Sequence, residues 1–261
     1  AIDVVTPTVA HFECASKALE SGKHVFIEKP VASTVEEARR LLALSRQEGK
    51  IVQEGHVERF NPAFLAAKDF DLQPQFVEGH RLAFYNPRGT DVSVVLDLMI
   101  HDIDVLLSVV NSPVKHIDAS GVAVVSKTAD IANARIAFEN GCVANLTASR
   151  ISLKNMRRIR LFQQSAYVAI DFLEKTAELV KLSHEKPSEG MSFPIGIGEE
   201  SRFLQYEKTD AQEGNAIKLE LESFANSILH AAPVQVTLAD GVAALEVAQE
   251  VAERIERRMN S

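Results

Sequence analysis

The chain contains no tryptophan, only two cysteines and only three tyrosines among its 261 residues. Cys14 and Cys142 lie far apart in the sequence, which is typical of unpaired thiols in a reducing compartment. No cysteine pair has the spacing of a zinc site, and the histidines lack a second histidine at ligand spacing. We therefore predict a cytoplasmic protein without a metal site.

Long apolar runs and basic runs are also absent. No stretch approaches the roughly 20 apolar residues that span a bilayer, and no segment is rich in lysine and arginine. The formal net charge is −8, which does not favour nucleic acid as a partner. Apolar residues make up 46% of the chain, enough for one large core or two modest ones. We predict that neither a membrane nor a nucleic acid is a partner.

A glycine-rich G-x-G-x-x-G turn is the third absence. The chain starts with Ala1, without a methionine, and Ile2–Val5 already has the character of an interior strand. Three predicted strands are few for a parallel sheet. We therefore expect a leading βαβ unit to precede Ala1 in the native protein.

Strands and helices alternate at the start of the chain. This rhythm predicts βαβ units and a parallel sheet, so we expect residues 1–58 to form the C-terminal part of a Rossmann-type domain. The predicted strands are Ile2–Val5, His24–Ile27 and Ile51–Glu54, and the predicted helices are Val9–Ser21 and Val35–Glu48.

The pattern then changes, and residues 59–261 predict an α+β domain with a large, open, mostly antiparallel sheet. The segment from Val114 to about Tyr206 is mostly strand, with a hairpin signal at Asn140-Gly141 and an irregular loop over Ser183–Glu200. Helices are predicted over Asn61–Phe70, Val94–Val110, Ala216–His230 and Leu238–Met259. We expect the last helix to pack back on the first domain.

Glu28-Lys29-Pro30 ends an apolar strand of the parallel sheet. Ligands of open α/β sheets bind outside the carboxyl ends of the strands, so a lysine there faces the ligand crevice. The alternative is a solvated lysine in a strand-to-helix turn. We also predict a cis Lys29–Pro30 bond, because an X-Pro bond held at a site is where that isomer occurs.

Asp97 and His101 lie one turn apart on a helix that is apolar nearly all round. A carboxylate beside an imidazole fixes its tautomer and raises its basicity, as a general base requires. The alternative is a surface helix with acids around a histidine.

Arg59 and Asn61 follow the third strand in the run His56-Val57-Glu58-Arg59-Phe60-Asn61-Pro62. Arg59 could hold an anionic or hydroxyl-rich ligand. A Glu58–Arg59 salt bridge at the domain junction explains the same residues equally well.

Together these residues resemble the Gfo/Idh/MocA family of NAD(P)-dependent oxidoreductases. The resemblance rests on Thr6-Pro7-x-x-x-His11, Glu28-Lys29-Pro30 and Asp97-x-x-x-His101 in the same order and spacing, and it covers nearly the whole chain. It implies that Thr6, Pro7, His11, Glu28, Lys29 and Pro30 line the cofactor, for which we favour NAD over NADP.

The resemblance also implies roles in catalysis. His101 would accept the hydroxyl proton of a sugar or cyclitol, Lys29 would stabilise the developing alkoxide, and Asp97 would orient the reacting groups. Arg59, Asn61 and His101 would bind substrate. The missing glycine-rich turn is a departure, since the family binds the cofactor's pyrophosphate there.

Within the family, the run from His56 to Pro62 is similar to the branch that oxidises UDP-N-acetylglucosamine at C3. A myo-inositol dehydrogenase-like activity is the nearest alternative, and a non-catalytic nucleotide or sugar sensor is a further one. The family pairs through the open sheet, so the resemblance implies a homo-oligomer.

Overall fold

The computed structural model describes residues 1–86, 92–186, 191–196, 202–210 and 214–260. Its strands form a three-stranded sheet and a nine-stranded sheet, with helices packed against both. The predicted combination of a partial parallel sheet and a large, mostly antiparallel one is confirmed.

The three-stranded sheet is parallel, in the order β1-β2-β3. Apolar side chains of its strands and of the flanking helices form one core cluster. Thr34 caps the second helix by accepting a hydrogen bond from the Glu37 amide. The elements are β1 Ile2–Val4, α1 His11–Glu20, β2 Val25–Glu28, α2 Val35–Gln47 and β3 Val52–Gly55.

The nine-stranded sheet has the order β11-β12-β10-β9-β8-β4-β7-β6-β5. Its described neighbours are antiparallel except β4 and β7. One face is apolar and buried, as the alternation of buried and exposed residues along β6 shows. The strands are β4 Phe76–Leu82, β5 Val114–Val122, β6 Ile131–Phe138, β7 Val143–Ser149, β8 Met156–Gln163, β9 Ala166–Asp171, β10 Thr176–Ser183, β11 Met191–Ile195 and β12 Arg202–Asp210.

Two sequence predictions need correction. The predicted loop Ser183–Glu200 contains strand β11, which pairs with β12 at the sheet edge, where Pro194 is tolerated; residues 187–190 and 197–200 lie outside the described residues. The predicted helix Val94–Val110 is a π-helix over Val95–Met99 followed by helix α4, Ile100–Val109.

The last helix connects the two sheets. Helices α3, α5 and α6 cover Pro62–Ala67, Ala216–His230 and Leu238–Met259. On α6, Leu238, Val242 and Leu245 join the core of the small sheet, whereas Ala248 and Val251 join that of the large sheet. None of the helices described is long and apolar enough to cross a membrane.

Candidate active site

Lys29 lies where the two parts of the molecule meet. Strand β2 ends at Glu28, so Lys29 is the first residue beyond the carboxyl end of that strand. The Lys29–Pro30 bond is cis, as predicted. The neighbouring β3 ends at Gly55, whose Cα carries no side chain: a Cβ there would lie 2.9 Å from Glu28 Oε2. The two strand ends therefore pack closely.

The amine of Lys29 contacts the π-helix. Lys29 Nζ donates a hydrogen bond to the carbonyl oxygen of Asp97 at 2.6 Å and lies 3.6 Å from Asp97 Oδ1. The side chain is 20% exposed, so the alternative of a solvated lysine is wrong. Burial lowers the pKa of Lys29, and the charge of Asp97 opposes that shift.

His101 lies in the first turn of α4. Its Nδ1 is buried without a hydrogen-bond partner. Burial, followed by the charges of Lys29 and Arg81, holds the pKa of His101 well below its ordinary value. The ring is therefore neutral at neutral pH and can accept a proton.

The predicted effect of Asp97 on His101 is wrong. Asp97 lies in the π-helix and its carboxylate pairs with Lys29, while the His101 Nδ1 atom has no hydrogen bond. Asp97 is therefore not seen to fix the tautomer, and the surroundings of His101 lower its basicity instead of raising it.

A buried ion network behind His101 is absent from the sequence prediction. The guanidinium of Arg81 on β4 contacts Asp102 Oδ1 at 2.7 Å and Glu58 Oε1 at 2.8 Å. Asp102 follows His101 on α4, so this network fixes the first turn of the helix against the large sheet. A single arginine in an alternating strand carries no sequence signal of such pairing.

His11 connects the loops that follow β1 and β2. Its Nδ1 bonds the carbonyl oxygen of Pro30 at 2.9 Å and its Nε2 bonds that of Thr6 at 2.8 Å. The ring is 1% exposed, whereas Thr6 and Pro7 are exposed. The buried His11 ring therefore holds the two loops together at the edge of the sheet, and Thr6 and Pro7 lie on the surface of that edge.

Arg59 and Asn61 have contact partners other than Lys29 and Asp97. Arg59 donates to the carbonyl of Gln235, and its Nε lies 3.8 Å from Asp104 Oδ2. The alternative of a Glu58–Arg59 salt bridge is wrong, because Glu58 pairs with Arg81. Asn61 caps α3 and donates to Glu58 and to the carbonyl of Phe172.

A cavity of about 660 Å³ lies between α4, α6 and β5. Arg59, Asp104 and Asp240 line it, and Lys29, Asp97 and His101 do not. Size alone therefore does not identify the reactive site. Among the described residues, no cluster of three or more histidine, cysteine or acidic side chains could hold a metal ion.

The sequence matches two family profiles. Residues 1–56 match the profile described as "Oxidoreductase family, NAD-binding Rossmann fold", and residues 64–168 match the GFO/IDH/MocA C-terminal domain.

Known proteins match over most of the chain. UDP-N-acetylglucosamine 3-dehydrogenase from Acidithiobacillus ferrooxidans is 36% identical over 95% of this chain and 75% of its own length. A solved structure of that enzyme has a TM-score of 0.87 at 32% identity, covering 98% of this chain and 78% of the other. A scyllo-inositol 2-dehydrogenase (NAD(+)) from Bacillus subtilis is 28% identical over 58% of this chain and 49% of its own length.

Proposed function

The chain belongs to the Gfo/Idh/MocA family of oxidoreductases, and from that premise we propose that it transfers a hydride between a sugar hydroxyl carbon and a nicotinamide. The observation that carries the proposal is the contact of Lys29, at the strand ends of the small sheet, with Asp97, which lies four residues before the buried, neutral imidazole of His101. Nucleotide ligands bind at such edges.

In the proposed oxidation, His101 accepts the proton of the substrate hydroxyl. Lys29 donates a hydrogen bond to the same oxygen as negative charge develops on it, and Asp97 holds the amine in place. A bound nicotinamide would accept the hydride. His101 suits this role because its pKa is held low, so that the acceptor form is present at neutral pH.

The residues at the strand ends fit the nicotinamide end of a dinucleotide. Thr6 and Pro7 are exposed there, Glu28 and Pro30 are partly exposed, and His11 fixes both loops from below. We propose NAD as the cofactor, with Thr6, Pro7, Glu28, Lys29 and Pro30 along its binding edge.

For the substrate we propose a nucleotide sugar of the UDP-N-acetylglucosamine type. Its support is the A. ferrooxidans enzyme, which aligns with 95% of this chain. The run from His56 to Pro62 supports the assignment less directly, because Glu58 and Asn61 are bonded within the protein. The B. subtilis relative makes a cyclitol the second candidate.

The test is a substrate panel on the native full-length protein. Reduced nicotinamide is followed by absorbance with NAD or NADP and UDP-N-acetylglucosamine, other UDP-sugars, or inositols. We expect turnover with a UDP-sugar and NAD. Turnover of inositols alone would show that the substrate is a cyclitol and not a UDP-sugar. Cofactor binding without turnover of any compound would favour a non-catalytic sensor.

Lys29→Met should lower kcat by about 100-fold or more, because it removes the donor to the alkoxide. Lys17→Met is the matched control. Lys17 is a lysine of α1 with a 71% exposed side chain that pairs only with Glu13 among the described ion pairs, so its loss should leave kcat unchanged. Equal rates for the two variants would remove Lys29 from the mechanism.

A further inference from the structure

His56 lies directly behind the proposed base. Strand β3 ends at Gly55, which places His56 at the start of the turn that follows. Its side chain is 1% exposed. The ring meets that of His101 edge to face, with centroids 6.4 Å apart and an interplanar angle of 86°. A change in the charge of His56 therefore affects the pKa of His101 with little screening by solvent.

Two buried carboxylates flank His56. Glu54 Oε2 lies 3.5 Å from His56 Nε2, and Asp104 approaches from α4. Both acids are at most 2% exposed, and three of their oxygens have no hydrogen-bond partner. Buried carboxylates without donors are costly unless a cation lies beside them. An imidazolium at His56 supplies that cation for Glu54, and beside Asp104 it adds to the charge of Arg59.

The remaining charged neighbours do not reverse this balance. Burial acts to lower the pKa of His56, but Asp104 and Glu54 outweigh it and raise the pKa to about 9. Arg59 opposes them from the turn after β3. Glu220 on α5 lies within range of His56, and Asp240 on α6 lies near Asp104.

The absence of a side chain at Gly241 leaves room for the Glu54 carboxylate in this position. The backbone of α6 passes so close to the carboxylate that a Cβ at Gly241 would lie 1.3 Å from Glu54 Oε2. The Glu54 side chain therefore lies between the backbone of α6 and the ring of His56.

We propose that His56 is a positioning residue for His101: the two rings pack edge to face, and the buried positive charge of His56 disfavours protonation of His101. The role in turnover rests on the proposed function. The electrostatic coupling between the two rings does not, because it is a property of the folded chain. The charge of His56 acts in the same direction on the pKa of His101 as those of Lys29 and Arg81.

Histidine NMR tests the coupling without substrate or cofactor. In the native protein labelled at histidine, His56 should stay protonated through neutral pH, and His101 should stay neutral. In His56→Gln, the titration midpoint of His101 should rise by roughly one pH unit, since a unit charge at this distance is lost. The control is His116→Gln, at an exposed histidine that pairs with Asp118, and it should leave His101 unchanged.

Kinetics then separate this inference from the proposed function. With an active substrate, the acid limb of kcat/KM should move to higher pH in His56→Gln by the same amount as the NMR midpoint. If no substrate turns over, the NMR shift alone decides the coupling. If His56→Gln does not fold, His56→Phe replaces it, because it keeps a ring against His101 and carries no charge. An unchanged His101 midpoint in the folded variant, or a neutral His56 at pH 7 in the native protein, would overturn the proposal.

Discussion

Burial disfavours the positive charge of both Lys29 and His101, but the charged groups around the two side chains differ. Lys29 has compensation from Asp97, through the carboxylate and the backbone carbonyl. His101 has none from Asp97 and faces the cations Lys29 and Arg81. Lys29 thus supplies a hydrogen-bond donor and His101 a proton acceptor, which is the pair that interconversion of an alcohol and a ketone requires.

Glu220 should make stability depend on pH. Burial first, and then the charge of Glu28, raise the pKa of Glu220 to about 8. A carboxyl whose pKa is raised on folding stabilises the fold below its unfolded pKa, and that contribution is lost as pH rises through the folded value. The free energy of unfolding should therefore fall between about pH 4.5 and 8.

Glu220→Gln should remove this part of the pH dependence and stabilise the protein at pH 8 by about 1–3 kcal/mol. Urea unfolding at pH 5 and pH 8 measures the change. Glu222→Gln is the matched control, since Glu222 is an exposed residue of the same helix in a pair with Lys218. A parallel loss of stability in native protein and Glu220→Gln would contradict the assignment.

The contacts of Asn61 indicate a structural role for this residue. The sequence prediction makes it a substrate ligand, but its oxygen caps α3 and its amide donates to Glu58 and Phe172. Asn61→Ala should lower the free energy of unfolding by about 2 kcal/mol and leave KM nearly unchanged. A rise in KM with unaltered stability would instead return Asn61 to the substrate site.

At the scale of elements, the close passage of α6 over Glu54 predicts strong coupling. Gly241→Ala should destabilise the protein by roughly 2–4 kcal/mol, because the new Cβ would overlap the carboxylate of the fully buried Glu54. In a Glu54→Ala background the same substitution should cost much less. A double-mutant cycle by thermal unfolding measures this coupling, and additive effects would exclude the contact.

Periodicity explains why most elements are predictable. Helices Ala216–His230 and Leu238–Met259 have the predicted bounds, because apolar spacing defines them and the capping residues Asn215 and Thr237 mark where they begin. The π-helix at Val95–Met99 and strand β11 are not predictable in this way. The first makes a contact with a residue distant in sequence, the hydrogen bond from Lys29 to the Asp97 carbonyl, and the second pairs with β12.

The same limit applies to the site. Local motifs single out Lys29, Asp97 and His101, since each motif is contiguous in sequence. The Arg81–Asp102–Glu58 network joins residues from three elements. The two acids beside His56 likewise come from different elements, Glu54 from β3 and Asp104 from α4. Such pairings form only when the sheets meet, so spacing along the chain does not report them.

At the scale of the whole molecule, the outer face of the large sheet is the surface on which we propose that two copies associate. Phe76, Phe162 and Tyr167 form a partly exposed aromatic row there, with ring centroids 5.7 and 5.0 Å apart. The charges beside the row are already paired, as in Arg160–Glu78. Aromatic residues with few unpaired charges are typical of the core of an interface.

Phe162→Glu should therefore shift the protein toward the monomer, because a carboxylate buried between two sheets would have no partner. Light scattering coupled to size exclusion measures the mass. Leu153→Glu is the control, since Leu153 is 91% exposed and lies in the loop before β8. A monomeric native protein, or a Phe162→Glu variant with the native mass, would show that copies do not associate through this aromatic row.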